Sequence, residues 1–402
     1  MPEQAARNEL PIDCAIIGGG VAGLWLLNCL RRQGYSAVLF EHAALGSAQT
    51  AVSQGIIHGG LKFALGGVAG EASRAVAAMP AAWRACLKGE GDVDLRGCHV
   101  LSEHVHLIAD GSAAGSLAQL AAGRLLRGRV SKVAAGALPA ALQQLPVQSA
   151  IYQLDEPVLD VRSLVTTLAD RQRQSIHAID WSRSRLSTAS GRVAIELPDC
   201  RVTPARLIFA AGAGNEQLLA DIGAPGPRMQ RRPLQQVMVR HEADVPLFAH
   251  LISGGSSPRV TITSHHTAQG QPVWYLGGEL ASAGVGMDAG ELVARAQREL
   301  QRFLPGLDLG RCEWSTLEID RAENAEIQGR RPDDTFLEAV PETDNVLVAW
   351  PTKLALCPRL GQAAVESLRA AGINPGQSGP VEASLPCGTP PYPAPPPWEA
   401  SV

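Results

Sequence analysis

Three glycines in the spacing Gly18-x-Gly20-x-x-Gly23 stand between a short apolar run, residues 12–17 (IDCAII), and a helix predicted over Val21 to Gln33. The apolar run suits a parallel strand buried on both faces. The helix ends on Arg31, Arg32 and Gly34, which are ordinary stop signals. Tyr35 to Phe40 reads as a second buried strand and closes on Glu41, 23 residues after Gly18. Strand, glycine turn, helix and strand make a βαβ unit of the dinucleotide-binding kind. In it Gly18 allows the tight turn, Gly20 lets backbone approach a pyrophosphate, and Gly23 permits close helix–strand packing. The helix N-terminus at Val21 and Ala22 then offers free N–H groups and a positive dipole end to phosphates. Glu41, with His42 beside it, is placed to accept hydrogen bonds from a ribose diol. Leu27 departs from the small residue common in such a helix.

Composition narrows the partners. With 35 basic and 39 acidic residues the net charge is −4, which leaves no electrostatic footprint for nucleic acid or an anionic membrane. The eight cysteines at 14, 29, 86, 98, 200, 312, 357 and 387 are scattered without a CxxC pair or Cys/His ligand spacing. They read as reduced thiols packed like small hydrophobes, so neither a disulfide framework nor a metal site is expected. The uncharged stretch Cys14–Leu30 is short for a membrane span and is broken by Gly18-Gly19-Gly20. Asp13, Glu9 and Glu3 spoil the basic flank of an export signal. The expectation is a cytoplasmic protein without an integral membrane segment.

Further along, helices are predicted at 71–88 (interrupted at Pro80), 113–126, 163–174 with Ser163 as N-cap, 215–222, 288–303 and 359–371. Strands are predicted within 98–109 and at 175–181, 192–197, 206–211, 313–319 and 345–350. Beyond Pro225 the runs QQVMVRH, RVTITSHH and PVWYLGGEL read as antiparallel strands. Residues 386–397 hold seven prolines and read as a polyproline-like tail without fixed tertiary packing.

Residues 46–60, GSAQTAVSQGIIHGG, resemble the segment after the second strand in FAD-dependent oxidoreductases of the D-amino-acid oxidase superfamily. The run Gly55-Ile56-Ile57-His58-Gly59-Gly60 is most similar to glycerol-3-phosphate dehydrogenases and L-2-hydroxyglutarate oxidases. The resemblance implies FAD as cofactor, with Thr50 on the pyrophosphate and Ser53 and Gln54 beside the flavin ring. Gly55, with Ile57 in the same run, and the glycines at 59 and 60 would let backbone lie against that ring. A second block, Leu207 to Asn215, resembles the strand and turn that pass under the ribityl and phosphates, at Ala211 and Gly212. The third block runs from Arg321 to Pro358. Family members carry an arginine there for a substrate carboxylate, and then a glycine-rich loop at the flavin edge. This chain reads Thr352-Lys353-Leu354-Ala355 instead. Lys353 is then a charge stabilising the reduced flavin, a substrate anchor, or a surface lysine with its stem packed down. Arg321 competes with Arg330 and Arg331 for the carboxylate role, and counting back from the terminal strand favours Arg321.

The resemblance implies an α/β fold in which a Rossmann-like FAD-binding domain (10–70, 150–225, 315–385) is interleaved with an antiparallel-sheet substrate domain (71–149, 226–314), followed by the tail 386–402. The implied activity is oxidation of a small, anionic amine or alcohol by hydride transfer to the flavin, with Arg321 and Lys353 gripping the anionic group. His58 is a base if the substrate is an alcohol; it is otherwise a hydrogen-bond scaffold or a covalent flavin attachment point. His265 and His266 are either cavity residues or a bland pair at a strand end. Two alternatives stand beside this: an NAD-dependent dehydrogenase, and a flavin-binding protein without catalysis. No sequence feature chooses the electron acceptor.

Overall fold

A computed structural model describes residues 8–60, 71–110, 130–134, 136, 138–143, 151–242, 244–254, 257–325, 334–350, 353–376, 385 and 390–399. The chain opens with β1 (Asn8–Ile17), α1 (Val21–Arg32) and β2 (Ala37–Glu41), and α2 (Glu71–Lys88) follows with Pro80 inside it. Short strands β3 (Val100–Ser102), β4 (Val105–Ala109), β5 (Val130–Lys132), β6 (Ile151–Leu154) and β7 (Val158–Leu159) lead to α3 (Val161–Arg171). Next come β8 (Ile176–Ala178), β9 (Arg185–Ala189), β10 (Arg192–Glu196), β11 (Cys200–Phe209) and α4 (Asn215–Asp221). The remainder is β12 (Met229–Arg240), β13 (Ala249–Ile252), β14 (Val260–His266), β15 (Pro272–Gly277), α5 (Ala289–Phe303), β16 (Glu313–Asn324), β17 (Phe336–Ala339), β18 (Val346–Trp350) and α6 (Cys357–Ala370).

Two large sheets carry the fold. The first runs β17-β18-β11-β1-β2-β8, with β10 and β9 added beyond β11. Its centre, from β18 through β11, β1 and β2 to β8, is wholly parallel. Strands buried on both faces need continuous apolar sequence, and β2 is buried at every position. Helix α1 is buried from Val21 to Leu30 because it packs on the sheet while α3 and α6 lie against it. That also explains Leu27, which sits in this core rather than disturbing it.

The second sheet runs β16-β12-β15-β14-β13-β4-β6-β5 and is antiparallel except between β13 and β4. Helix α5, capped by Asp288 accepting from Gly290 and Glu291, buries Leu292, Ala296, Leu300 and Phe303 in the core beneath this sheet. β6 and β16 both belong here, although the expected segments 150–225 and 315–385 had grouped them with the nucleotide side. β16 is recruited by β12, which it pairs along its whole length.

Two local expectations are corrected. Asp160, not Ser163, caps α3, its carboxylate accepting the Ser163 N–H at 2.6 Å. The proline-rich tail is packed: the Ala394 N–H donates to Leu45 O, and the Trp398 ring stacks on His265 with centroids 3.9 Å apart. Proline removes backbone donors but leaves a stiff ribbon that can lie along a surface, and Trp398 anchors its end. The helix expected at 113–126 lies outside the described residues.

Candidate active site

In an open parallel sheet, ligands gather at the carboxyl ends of the strands. Here all five parallel strands end on one cavity of about 1890 Å³: β1 at Ile17 and Gly18, β2 at Glu41 and His42, β8 at Ile179, β11 at Ala210 and Ala211, and β18 at Trp350. The volume exceeds the roughly 300–1,000 Å³ of an ordinary small-ligand pocket, so it has room for a dinucleotide and a substrate together.

Close packing shapes the turn that opens this cavity. A Cβ on Gly23 would lie 1.9 Å from the Gly18 carbonyl oxygen, so only glycine lets α1 start against the end of β1. Gly20 is the N-cap of α1 and makes no side-chain cap bond, and the first turn carries no acidic residue. Gly18, Gly20, Val21 and Ala22 line the cavity at this helix end, the Gly18 N–H being donated to Phe40 O at 2.9 Å. Thr50 lies at the same end, its hydroxyl accepting the Val21 N–H at 3.1 Å and remaining able to donate into the cavity. Glu41 accepts from the Gly19, His42 and Ala43 amides at 2.5, 2.8 and 2.8 Å. Oε1 accepts two of these and also has His42 Nδ1 at 3.1 Å, while Oε2 accepts one and keeps a lone pair for a hydroxyl donor. These groups suit FAD: amides and a hydroxyl for its diphosphate, and a carboxylate for its ribose.

The loop 46–60 was read as a flavin cradle and does more structural work than that. Ser53 and Gln54 line the cavity, but the Gln54 amide donates to Thr261 O at 3.2 Å and Tyr275 O at 2.9 Å, tying the loop to the second sheet. Gly55 is required by close packing on a neighbouring segment: φ is +73° and a Cβ would lie 2.1 Å from Leu159 O. Ile57 is fully buried in the core and Gly59 packs against Glu156. Among the glycines of this run only Gly60 reaches the cavity wall.

Ala211 and Gly212 line the cavity as expected, and so do Lys353 and Leu354. The Ala211 amide donates to Asn215, and Trp350 Nε1 to Gly212 O at 2.9 Å, which hold this turn under the sheet. Lys353 precedes a short 3-10 turn that runs into α6, and Trp83 Nε1 fastens that turn through Ala355 O at 2.9 Å. Thr352, Arg330 and Arg331 lie outside the described residues.

The opposite wall comes from the second sheet. Alternate residues of β12, Arg232, Leu234 and Gln236, face the cavity, as the period of a strand requires. Arg321 on β16 also lines it and pairs in register with Arg232; its Nε donates to Arg232 O at 3.3 Å. His58 and His250 complete this end, stacked with centroids 5.8 Å apart. His265 does not line the cavity. Its Nε2 meets Thr263 Oγ1 at 2.9 Å beneath Trp398, and burial first, then the neighbouring His266 charge, lowers it to about 3. His266 is exposed beside Asp244.

Sequence reading missed Arg232, Gln236, His250 and Glu156. Gln236 lies in the run QQVMVRH read as a strand, whereas Arg232 precedes that run. His250 and Glu156 carried no signal, being brought to His58 only by tertiary pairing. Among the described residues seven cysteines are free thiols and six of these are buried, as expected of packing residues. No described helix is long and apolar enough to cross a membrane.

Comparison with known proteins agrees with this geometry. A family model described as FAD dependent oxidoreductase matches residues 13–358. The probable FAD-dependent oxidoreductase PA4991 of Pseudomonas aeruginosa is 43% identical over 393 residues, covering 98% of each chain. The crystal structure of PA4991 superposes with a TM-score of 0.82 over 99% of both chains. At the level of fold alone, similar structures include a glycine oxidase from Geobacillus kaustophilus (17% identity, TM-score 0.63, 92% of this chain and 99% of that one). Another is an L-α-glycerophosphate oxidase from Mycoplasma pneumoniae with FAD bound (14% identity, TM-score 0.64, 89% and 95%).

Proposed function

Since this chain belongs to the FAD-dependent oxidoreductase family and uses FAD, we propose that it oxidises a small anionic amine or alcohol at the carbon bearing that group. The nicotinamide alternative gives way to the family assignment. One observation carries the reading: a single cavity has helix-end and strand-end backbone on one wall and Arg321, Arg232, His58 and Lys353 around the rest.

When bound, FAD supplies the electron sink, accepting the hydrogen and electron pair of the substrate C–H bond. The chain's own part is to hold it and the substrate. Gly18, Gly20, Val21, Ala22 and Thr50 would seat the diphosphate, Glu41 the ribose, and Ala211, Gly212, Ser53, Lys353 and Leu354 the remainder of the group. Arg321 and Lys353 would hold a carboxylate or phosphate of the substrate and orient its C–H bond; positioning of that kind supplies much of a rate enhancement. His58 would take the proton when the substrate is an alcohol.

The test is an anaerobic addition of 2-hydroxy acids, amino acids and glycerol 3-phosphates to the purified yellow protein. Bleaching of the flavin band by one class supports the reading and names the class. A flavin that dithionite bleaches but no member of the panel does would favour the catalytically silent alternative.

A further inference from the structure

The connection from β6 to β7 brings a carboxylate to the cavity's edge. Glu156 is 3% exposed, held where residues 55–59 run beside 156–159: Ile57 N–H donates to Pro157 O, and Leu159 N–H to Gly55 O. One Glu156 oxygen accepts the Gly59 N–H at 2.6 Å and the other meets His58 Nδ1 at 3.2 Å. The His58 side chain is 42% exposed and lines the cavity.

We propose that Glu156 is a positioning residue that fixes His58 as the proton acceptor for a substrate hydroxyl, matching the site to CH–OH substrates. The inference rests on the oxidoreductase reading above and names its substrate class.

An ionised carboxylate only accepts hydrogen bonds, so Nδ1 carries the imidazole proton and Nε2, across the ring, keeps its lone pair. Burial alone would raise the Glu156 carboxyl. The hydrogen bonds from His58 and the Gly59 amide, joined by the positive charge of His58 or His250 whenever either ring is protonated, outweigh it and hold the group below its ordinary range. His250 closes the other side of the ring. Its Nδ1 meets Thr261 Oγ1 at 2.9 Å, and burial, then His58, lowers it to about 4 against the pull of Glu156. It is a neutral wall and does not compete for the proton.

An amine reaches its reactive neutral form by exchange with water, whereas an alcohol must lose its O–H proton as the C–H bond breaks. In that step the O–H bond breaks and an N–H bond forms on His58. The carbon becomes a carbonyl, and the C–H hydrogen with its electron pair goes to the family's flavin. The cluster would also suit a divalent cation, since its three ligand atoms lie within 4.8 Å of one another. The experiment includes that outcome.

The FAD-loaded protein is labelled with ¹⁵N-histidine, and His58 is assigned by its absence in His58→Asn. Wild type should show the Nδ1–H tautomer. In Glu156→Gln an NH₂ must face either Gly59 N–H or Nδ1, and the signal should move toward Nε2–H with flavin content unchanged. On lactate, 2-hydroxyglutarate and sn-glycerol 3-phosphate, kcat should fall about 10²-fold with KM nearly constant, the scale of general-base catalysis. Glycine and sarcosine turnover should change little. The double variant with His58→Asn should be no slower than His58→Asn alone. If Glu156→Gln loses flavin, Glu156→Asp, which keeps the charge at shorter reach, should give an intermediate kcat with the wild-type tautomer. An unchanged tautomer in Glu156→Gln, or a loss that adds to that of His58→Asn, would overturn the role. Activity removed by a chelator and restored by zinc would do the same. Should no probe be oxidised, the oxidoreductase reading fails, and the tautomer still decides what Glu156 does to His58.

Discussion

The two walls of the cavity meet it with different chemistry. From the parallel sheet come mainly backbone and small residues: Gly18, Gly20, Ala22, Ala210, Ala211 and Gly212. From the second sheet and the loop tied to it come long functional side chains: Arg232, Gln236, Arg321, His58 and His250. Backbone amides at strand and helix ends recognise phosphates whatever the substrate, so the first wall fits a cofactor shared across a family. Side chains on a regular strand can change one at a time without moving the sheet. Under the proposed function the second wall sets substrate choice, and damage to the two walls should be separable.

The sharpest break should come from Gly23→Val. The new Cβ would press on the Gly18 carbonyl, and backbone cannot swing aside as a side chain does. Overpacking of this sort costs about 3 kcal/mol or more. The purified protein should be colourless or nearly so, with a lowered Tm. Normal flavin content would show that the first wall tolerates what its geometry forbids.

Arg321→Ala addresses the other wall. Flavin content and Tm should stay near wild type while kcat/KM for an anionic substrate falls about 10²-fold, about 2.7 kcal/mol, within the range for losing one partner of a buried charged contact. Unchanged kinetics would pass the role to Arg232, its neighbour across β12 and β16. A colourless variant would mean that the walls are not separable at all.

The unequal legibility of the walls follows from the same physics. Gly18, Gly20, Gly23 and Glu41 are near one another in sequence because one βαβ unit makes the turn, so spacing alone discloses them. The apolar runs of β1, β2, β11 and β18 disclose their strands because burial on both faces leaves no alternative composition. Glu156 and His250 lie 98 and 192 positions after His58 in the chain. Only the pairing of 55–59 with 156–159, and of β13 with β14, brings them together, and neither pairing leaves a periodic mark. Gly55 was legible as a glycine that matters, but its partner, Leu159 O, was not. The tail was misread because composition reports a stiff ribbon and is silent on where its last tryptophan docks.

Acid should weaken the second sheet first. Burial lowers His241 to about 4, His250 to about 4 and His265 to about 3, and all three lie on or beside β12, β13 and β14. Near pH 7 both folded and unfolded forms are largely neutral at these positions. As pH falls below about 6.5 the unfolded chain takes up protons that the folded one refuses, so stability declines toward pH 4. Each histidine contributes at most about 1.4 kcal/mol per pH unit across that window. A Tm-versus-pH series should slope downward below pH 6.5, and His265→Gln should flatten it by roughly a quarter, since burial also lowers His106 on β4. A slope unaffected by that change would mean that His265 is not among the acid-sensitive groups.

The smallest effect tests whether the tail belongs to the contrast. Leu45 exchanges hydrogen bonds with Tyr392 and Ala394 beside the first wall. At the far end Trp398 stacks on His265, its carbonyl accepts from Arg240 at 3.1 Å, and Glu399 accepts the Ala268 N–H at 2.7 Å. The segment thus fastens the nucleotide-side loop to the second sheet without lining the cavity. Trp398→Ala should remove an aromatic stack of about 1 kcal/mol and part of its buried area, lowering Tm by a few degrees. Flavin content and kcat should be untouched, because no cavity residue depends on the ring directly. A loss of turnover as large as that of Arg321→Ala would mean that the tail sets the separation of the two walls. The side-chain wall would then owe its substrate contacts to a strap outside both sheets.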